Sequence, residues 1–77
     1  MDTNNENINE VELTTYDRLI RAWENSKELV RDYEMYSKRI EEKNIKDVFK
    51  QFAEDEGTHA TKLREMILKY RKDSVEQ

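Results

Sequence analysis

Apolar positions recur at intervals of three and four along most of the chain from residue 16 onward. Tyr16, Leu19, Ile20, Trp23, Val30, Tyr33 and Ile40 form one stripe, and Ser26 and Ser37 fill its gaps. That spacing is the period of an α-helix with one buried face. Leu29, Met35 and Tyr36 fall beside the stripe and widen it, which predicts more than one neighbour for this helix. Thr14 or Thr15 offers the first cap, and Asp17 follows Thr14 by the three residues of a capping box. The pattern breaks at Glu41-Glu42-Lys43-Asn44, where Asn44 either closes one helix or caps the next. A second stripe then runs through Ile45, Val48, Phe49, Phe52, Ala53, Ala60, Leu63, Met66, Ile67 and Tyr70. The chain has no proline, and its one glycine is Gly57, so helix breakers are scarce. Helices are predicted over about residues 15–42 and 45–71, each about 40 Å long. Lys69, Arg71 and Lys72 sit near the end of the second, where positive charge suits the helix dipole. So short a connection allows only an antiparallel hairpin, with the hairpin domain spanning about residues 13–73.

Length turns this pattern into an all-α expectation with a partner. The chain has 77 residues, enough for one small domain, and such domains often need a disulfide, a metal or a second chain. There is no cysteine, so disulfides and thiolate ligands are excluded. Two helices packed only on each other leave part of each apolar belt wet. A second copy remedies this by completing a four-helix bundle, most simply about a twofold axis. The partner expected is therefore the chain itself, as a dimer or a higher homo-oligomer.

Charge narrows the field further. Charged residues make up 42% of the chain and the formal charge is -4. Residues 1–12 carry Asp2, Glu6, Glu10 and Glu12 with no Lys or Arg, so the rest of the chain is balanced. The first twelve residues read as a disordered acidic tail, and the balanced remainder argues against nucleic acid as a partner. No apolar run is long enough for a membrane span, and the start lacks the pattern of a signal peptide. A cytoplasmic location is the expectation.

The candidate chemistry lies in AEDEGTHATKL, residues 53–63. At about 100° per residue, with Phe49 at zero, Phe52 falls near -60° and Leu63 near -40°; Glu56 falls near -20° and His59 near -80°. Both ionisable residues therefore lie within the apolar sector, while Glu54 and Asp55 fall outside it or at its rim. A buried carboxylate and imidazole need compensating groups. A divalent metal ion is one answer, because Glu-x-x-His places both side chains on one helical face. A buried hydrogen-bond network is the other. In it Lys27 or Arg31 neutralises Glu56, and Tyr33, Ser26 or a tyrosine of a second chain satisfies His59. Gly57 either admits a neighbouring helix or is incidental. Trp23, Tyr33 and Tyr36 read as core or interface rings.

Residues 49–67, FKQFAEDEGTHATKLREMI, resemble the second helix of ferritin-like proteins of the rubrerythrin type. They also resemble the small encapsulated ferritins, whose subunit is itself a two-helix hairpin. The resemblance implies a ferritin-like four-helix bundle made of two hairpins. It implies that Glu56 and His59 are iron ligands at a di-iron centre, or at a site for another divalent metal. The implied activity is ferroxidase chemistry with oxygen or peroxide as acceptor. The encapsulated branch implies a shell protein as a further partner and a protein nanocompartment as the location. The pattern also needs a glutamate on the first helix. Glu28 lies at the right level and Glu24 one turn away, but with Ile20 at zero they fall near 80° and 40°, against a stripe centred near -100°. Glu34 falls near -40° but closer to the turn. If the face rotates, Glu28 completes the site, or less readily Glu24. Otherwise Glu56 and His59 bind a metal with water, or the site has lost its metal. The rival reading is a metal-free dimerisation or adaptor module whose Glu56/His59 pair is a buried polar network. A third is a regulatory hairpin that docks on a larger protein.

Overall fold

The structure, a computed structural model, describes residues 12–76, with side chains over 12–74. The expected acidic tail falls, apart from Glu12, outside the described residues. Two helices account for nearly everything else: α1 (Thr15–Arg39) and α2 (Lys43–Glu76).

Local chemistry fixes where α1 begins and ends. Thr14 is its N-cap, with the Asp17 N–H donating to Thr14 Oγ1 at 3.0 Å and the Thr14 N–H donating to Asp17 Oδ2 at 3.1 Å. These two bonds satisfy donors that a helix start otherwise leaves unpaired. Arg18 Nη1 adds a bond to the Leu13 carbonyl at 2.7 Å. At the far end Ile40 turns extended, with φ -74° and ψ 135°, while its N–H still donates to the Tyr36 carbonyl. Lys38 and Arg39 occupy the last turn, next to the negative end of the dipole.

The connection differs from the pattern read along the chain. α2 already begins at Lys43, so Asn44 lies in its first turn and neither closes α1 nor caps α2. Lys43 Nζ pairs with Asp47 Oδ2 at 3.0 Å, one turn on. That hydrogen bond holds the Asp47 carboxyl below its ordinary value. At its other end α2 runs on to Glu76, with no basic residue in its last turn. Lys69, Arg71 and Lys72 are thus interior to the helix, and Lys69 faces Asp73 at 3.8 Å.

The helices run antiparallel. Tyr16 meets Tyr70 at one end, with ring centroids 6.0 Å apart, and Tyr36 meets Phe49 at the other, at 5.5 Å. Between them the most deeply buried positions are three small side chains and one isoleucine. The buried residues are Ser26 and Ser37 of α1 and Ala53 and Ile67 of α2. Ser37 satisfies its hydroxyl within its own helix, donating to the Glu34 carbonyl at 2.7 Å. Tyr33, Tyr36, Phe49 and Phe52 form an aromatic cluster near the turn, with centroids 5.5–5.8 Å apart. At the open end Arg71 Nε donates to the Tyr16 hydroxyl at 2.6 Å.

Several large apolar side chains are only partly covered, among them Tyr36, Phe52 and Tyr70, whose rings also touch the facing helix. Met35, Tyr36, Ile45, Val48, Phe52, Met66, Leu68 and Tyr70 are each exposed by 38–46%. On α2 the geometry separates two faces. Ala53 and Ile67 point toward α1, while Val48, Phe52, Met66 and Tyr70 lie about 60–100° to one side of Phe49. No described helix is long and apolar enough to cross a membrane.

Candidate metal centre

Glu56 and His59 are brought together, but they belong to different faces of α2. The Glu56 side chain is 17% exposed and His59 is 64% exposed. The difference follows from the helix period. Glu56 lies close to the line through Ala53 and Ile67 that packs on α1, whereas His59 lies on the neighbouring line with Phe52 and Met66. The expectation that both face inward therefore holds for Glu56 within one hairpin and not for His59. The apolar sector read from the sequence is two faces, and α1 covers only one of them.

Ser26 meets Glu56 from α1. Its hydroxyl donates to Glu56 Oε2 at 2.6 Å. The same oxygen lies 3.4 Å from His59 Nδ1. A short bond to a carboxylate is stronger than one between neutral groups and holds its acceptor in place. It orients Glu56 at the point where α2 leaves the hairpin contact for the open face. Tyr33, Phe52, Asp55, Glu56 and His59 line a shallow pocket of about 230 Å³ there.

The other polar candidates sit elsewhere. Lys27 Nζ lies over the Trp23 ring, 3.7 Å from its centroid, and Ser26, not Lys27 or Arg31, is the α1 hydrogen-bond partner of Glu56. Glu24, Glu28 and Glu34 are exposed on α1. Glu28 does not turn to meet the pair, because its position on α1 points well away from the line carrying Ser26 and Ser37. The sequence offers Ser26 as a small polar gap in the apolar stripe and as a candidate partner for His59, and it bonds Glu56 instead. Asp55, read as a rim group, joins the pocket wall.

Two donor atoms 3.4 Å apart suit a single ion. A carboxylate oxygen and an imidazole nitrogen are both donors that first-row divalent metals accept. The pair therefore fits one edge of a coordination sphere. It does not fill the sphere: among the described residues no three His, Cys, Asp or Glu side chains gather to hold a metal ion. Any further protein donors must come from another chain, or from a repositioned α1 residue.

Comparison with known proteins gives one result. Residues 17–77 match the family model for rubrerythrin. No curated protein matches the chain, and no solved structure does.

Proposed function

The chain belongs to the rubrerythrin family, and on that premise we propose that it is a ferritin-like metal-binding hairpin that holds iron between two copies through Glu56 and His59 of each. The observation that supports this most is the paired donor geometry, a carboxylate oxygen and a ring nitrogen 3.4 Å apart. The pair lies where a covered face meets an open one. A second copy laid on that open face brings a second carboxylate and a second imidazole, and four protein donors leave room for water or substrate on first-row ions.

Bound iron supplies one-electron chemistry, so ferrous oxidation is the activity such a site would support. The chain's own part is to bind and to position. Glu56 contributes the charge that compensates a cation, and Ser26 holds its Oε2 through the 2.6 Å bond. His59 contributes a neutral nitrogen ligand. Tyr33 and Phe52 form the apolar wall of the pocket. Ser26 is the α1 residue facing Glu56, so within one hairpin the α1 partner of the carboxylate is a neutral hydroxyl.

That serine supports a second reading. A hydroxyl 2.6 Å from the carboxylate is already a compensating partner, as the metal-free dimerisation or adaptor module requires. Anaerobic loading with ferrous iron, followed by elemental analysis and native mass spectrometry, separates the two. The metal reading expects iron retained in stoichiometric amount by dimers of the natural protein. It also expects that iron to be lost in Glu56→Ala and His59→Ala. Dimers that bind no iron reject it in favour of the polar module.

A further inference from the structure

The Glu56/His59 site holds few donors and little charge on each chain. Glu56 Oε2 carries both close contacts, the Ser26 hydroxyl at 2.6 Å and His59 Nδ1 at 3.4 Å. Ser26 is 6% exposed, and its hydroxyl has one proton, which it donates to that oxygen. The bond fixes Oε2 beside the imidazole and adds no charge. No second carboxylate joins the pair. Asp55 lies about 100° around the helix from Glu56 and takes a hydrogen bond from Gln51 Nε2 at 2.9 Å. Glu24 and Glu28 are exposed on α1, about 160° to either side of Ser26 on the helical wheel. Among the described residues no third His, Cys, Asp or Glu gathers with the two to hold an ion.

Two copies joined at this site bring one carboxylate and one imidazole each. One negative charge from either chain makes -2 for the pair of chains, which cancels one divalent cation. Their four donors also match the four-coordinate shell that such an ion takes from nitrogen and oxygen ligands. Two divalent ions would have to share those donors. They would leave a net charge of +2 beside the apolar wall of Tyr33 and Phe52, where uncompensated charge is costly. We infer that the centre is a one-ion site, with one divalent cation held per dimer, and that Ser26 sets this limit. It stands at the α1 position opposite Glu56 as a neutral group. A carboxylate in its place would double the negative charge and suit a second ion. This inference rests on the metal reading above and fixes its stoichiometry.

The test counts ions on the full chain. Anaerobic titration with ferrous iron, read by native mass spectrometry, should saturate at one ion per dimer in the natural protein. Ser26→Ala should keep that count and weaken binding about 10–100-fold, the usual loss when a group that orients a metal ligand is removed. Ser26→Glu should saturate at two ions per dimer. Ser26→Asp, a smaller change at a buried position, should give the same doubled count where Ser26→Glu fails to fold. A natural dimer that takes two ions overturns the inference, and loss of both in Glu56→Ala keeps the metal reading standing. Folded Ser26→Glu or Ser26→Asp dimers that stop at one ion also overturn it, because Ser26 would then not set the limit. A natural protein that takes no iron overturns the inference and the metal reading together.

Discussion

The two faces of α2 are built from opposite materials. Toward α1 the helix presents Ala53 and Ile67, both buried, as Ser26 and Ser37 are on α1. On the neighbouring face it presents Ile45, Val48, Phe52, Met66 and Tyr70, each at least 38% exposed, although the Phe52 and Tyr70 rings also touch Tyr33 and Tyr16 of α1. A self-sufficient hairpin would put its large side chains inside and its small ones out. Here most of the deeply buried positions are small, and several large apolar side chains stay more than a third exposed. Small residues at a helix contact give close packing but remove little apolar surface from water. The intramolecular contact therefore leaves apolar surface available for burial by another chain. Glu56 and His59 straddle the boundary, which is why one is mostly covered and the other mostly exposed.

The sharpest way to break this contrast is to place a charge on the outer face. Met66→Glu touches none of the aromatic contacts within the hairpin. If the face is covered by a second chain, the dimer should lose about 2–4 kcal/mol per buried carboxylate, and sedimentation should report monomer. On a face that is merely solvated the same change should stay within about 0.5 kcal/mol, with the natural and variant proteins alike in mass. The inner face gives the complementary experiment. Ala53→Leu adds bulk where α1 and α2 meet and should cost about 1–3 kcal/mol through overpacking, read as a lower thermal midpoint at fixed protein concentration. An Ala53→Leu protein as stable as the parent would mean that the small residues are not setting the helix spacing.

Much of this arrangement was legible in the sequence, and the part that was not has a specific cause. The helix starts were chemical signals: Thr14 and Asp17 make the capping box their spacing predicts. The turn was harder. Asn44 suggested a cap by residue type, but Ile40 leaves helical geometry four residues earlier, and Lys43 opens α2 with an ion pair to Asp47. At its other end Glu76 extends α2 because no proline or glycine follows Gly57 to stop it. Periodicity found the apolar sector correctly and could not divide it. Positions near -20° and -80° both fall within the sector typical of an amphipathic helix, yet one carries Glu56 against Ser26 and the other leaves His59 open. Only the placement of α1 makes that division. The same limit explains Glu28. Its level along the axis followed from the hairpin, but the residue that faces Glu56 is fixed by rotation about the helix, and it is Ser26.

Ser26 therefore offers a test midway between the two faces. Ser26→Ala removes the donor 2.6 Å from Glu56 Oε2 and should cost about 1–2 kcal/mol, the range for leaving a largely covered acceptor short of a partner. Ser26→Glu sets a second carboxylate against the first and should destabilise the chelated protein by a similar amount. With ferrous iron added under anaerobic conditions, that loss should reverse, because paired carboxylates favour a divalent cation. Thermal melts with and without iron measure both arms. A Ser26→Glu protein that iron does not rescue would show that the position facing Glu56 is structural and not part of a metal shell.

The smallest expected effect comes from Gly57, and its sign carries the information. Inside a helix glycine costs about 0.5–1 kcal/mol relative to alanine. A methyl at Gly57 would meet no atom within 4 Å, so nothing in the hairpin requires the glycine. On the α2 wheel it lies about 160° from His59, nearly opposite the face assigned to the second copy. Gly57→Ala should therefore raise stability by about 0.5–1 kcal/mol and leave dimer affinity unchanged. If Gly57→Ala instead weakens self-association, a helix passes close over Gly57. The partner would then lie on the side away from Phe52 and Met66, and the contrast between an inner and an outer face of α2 would have to be redrawn around three neighbours.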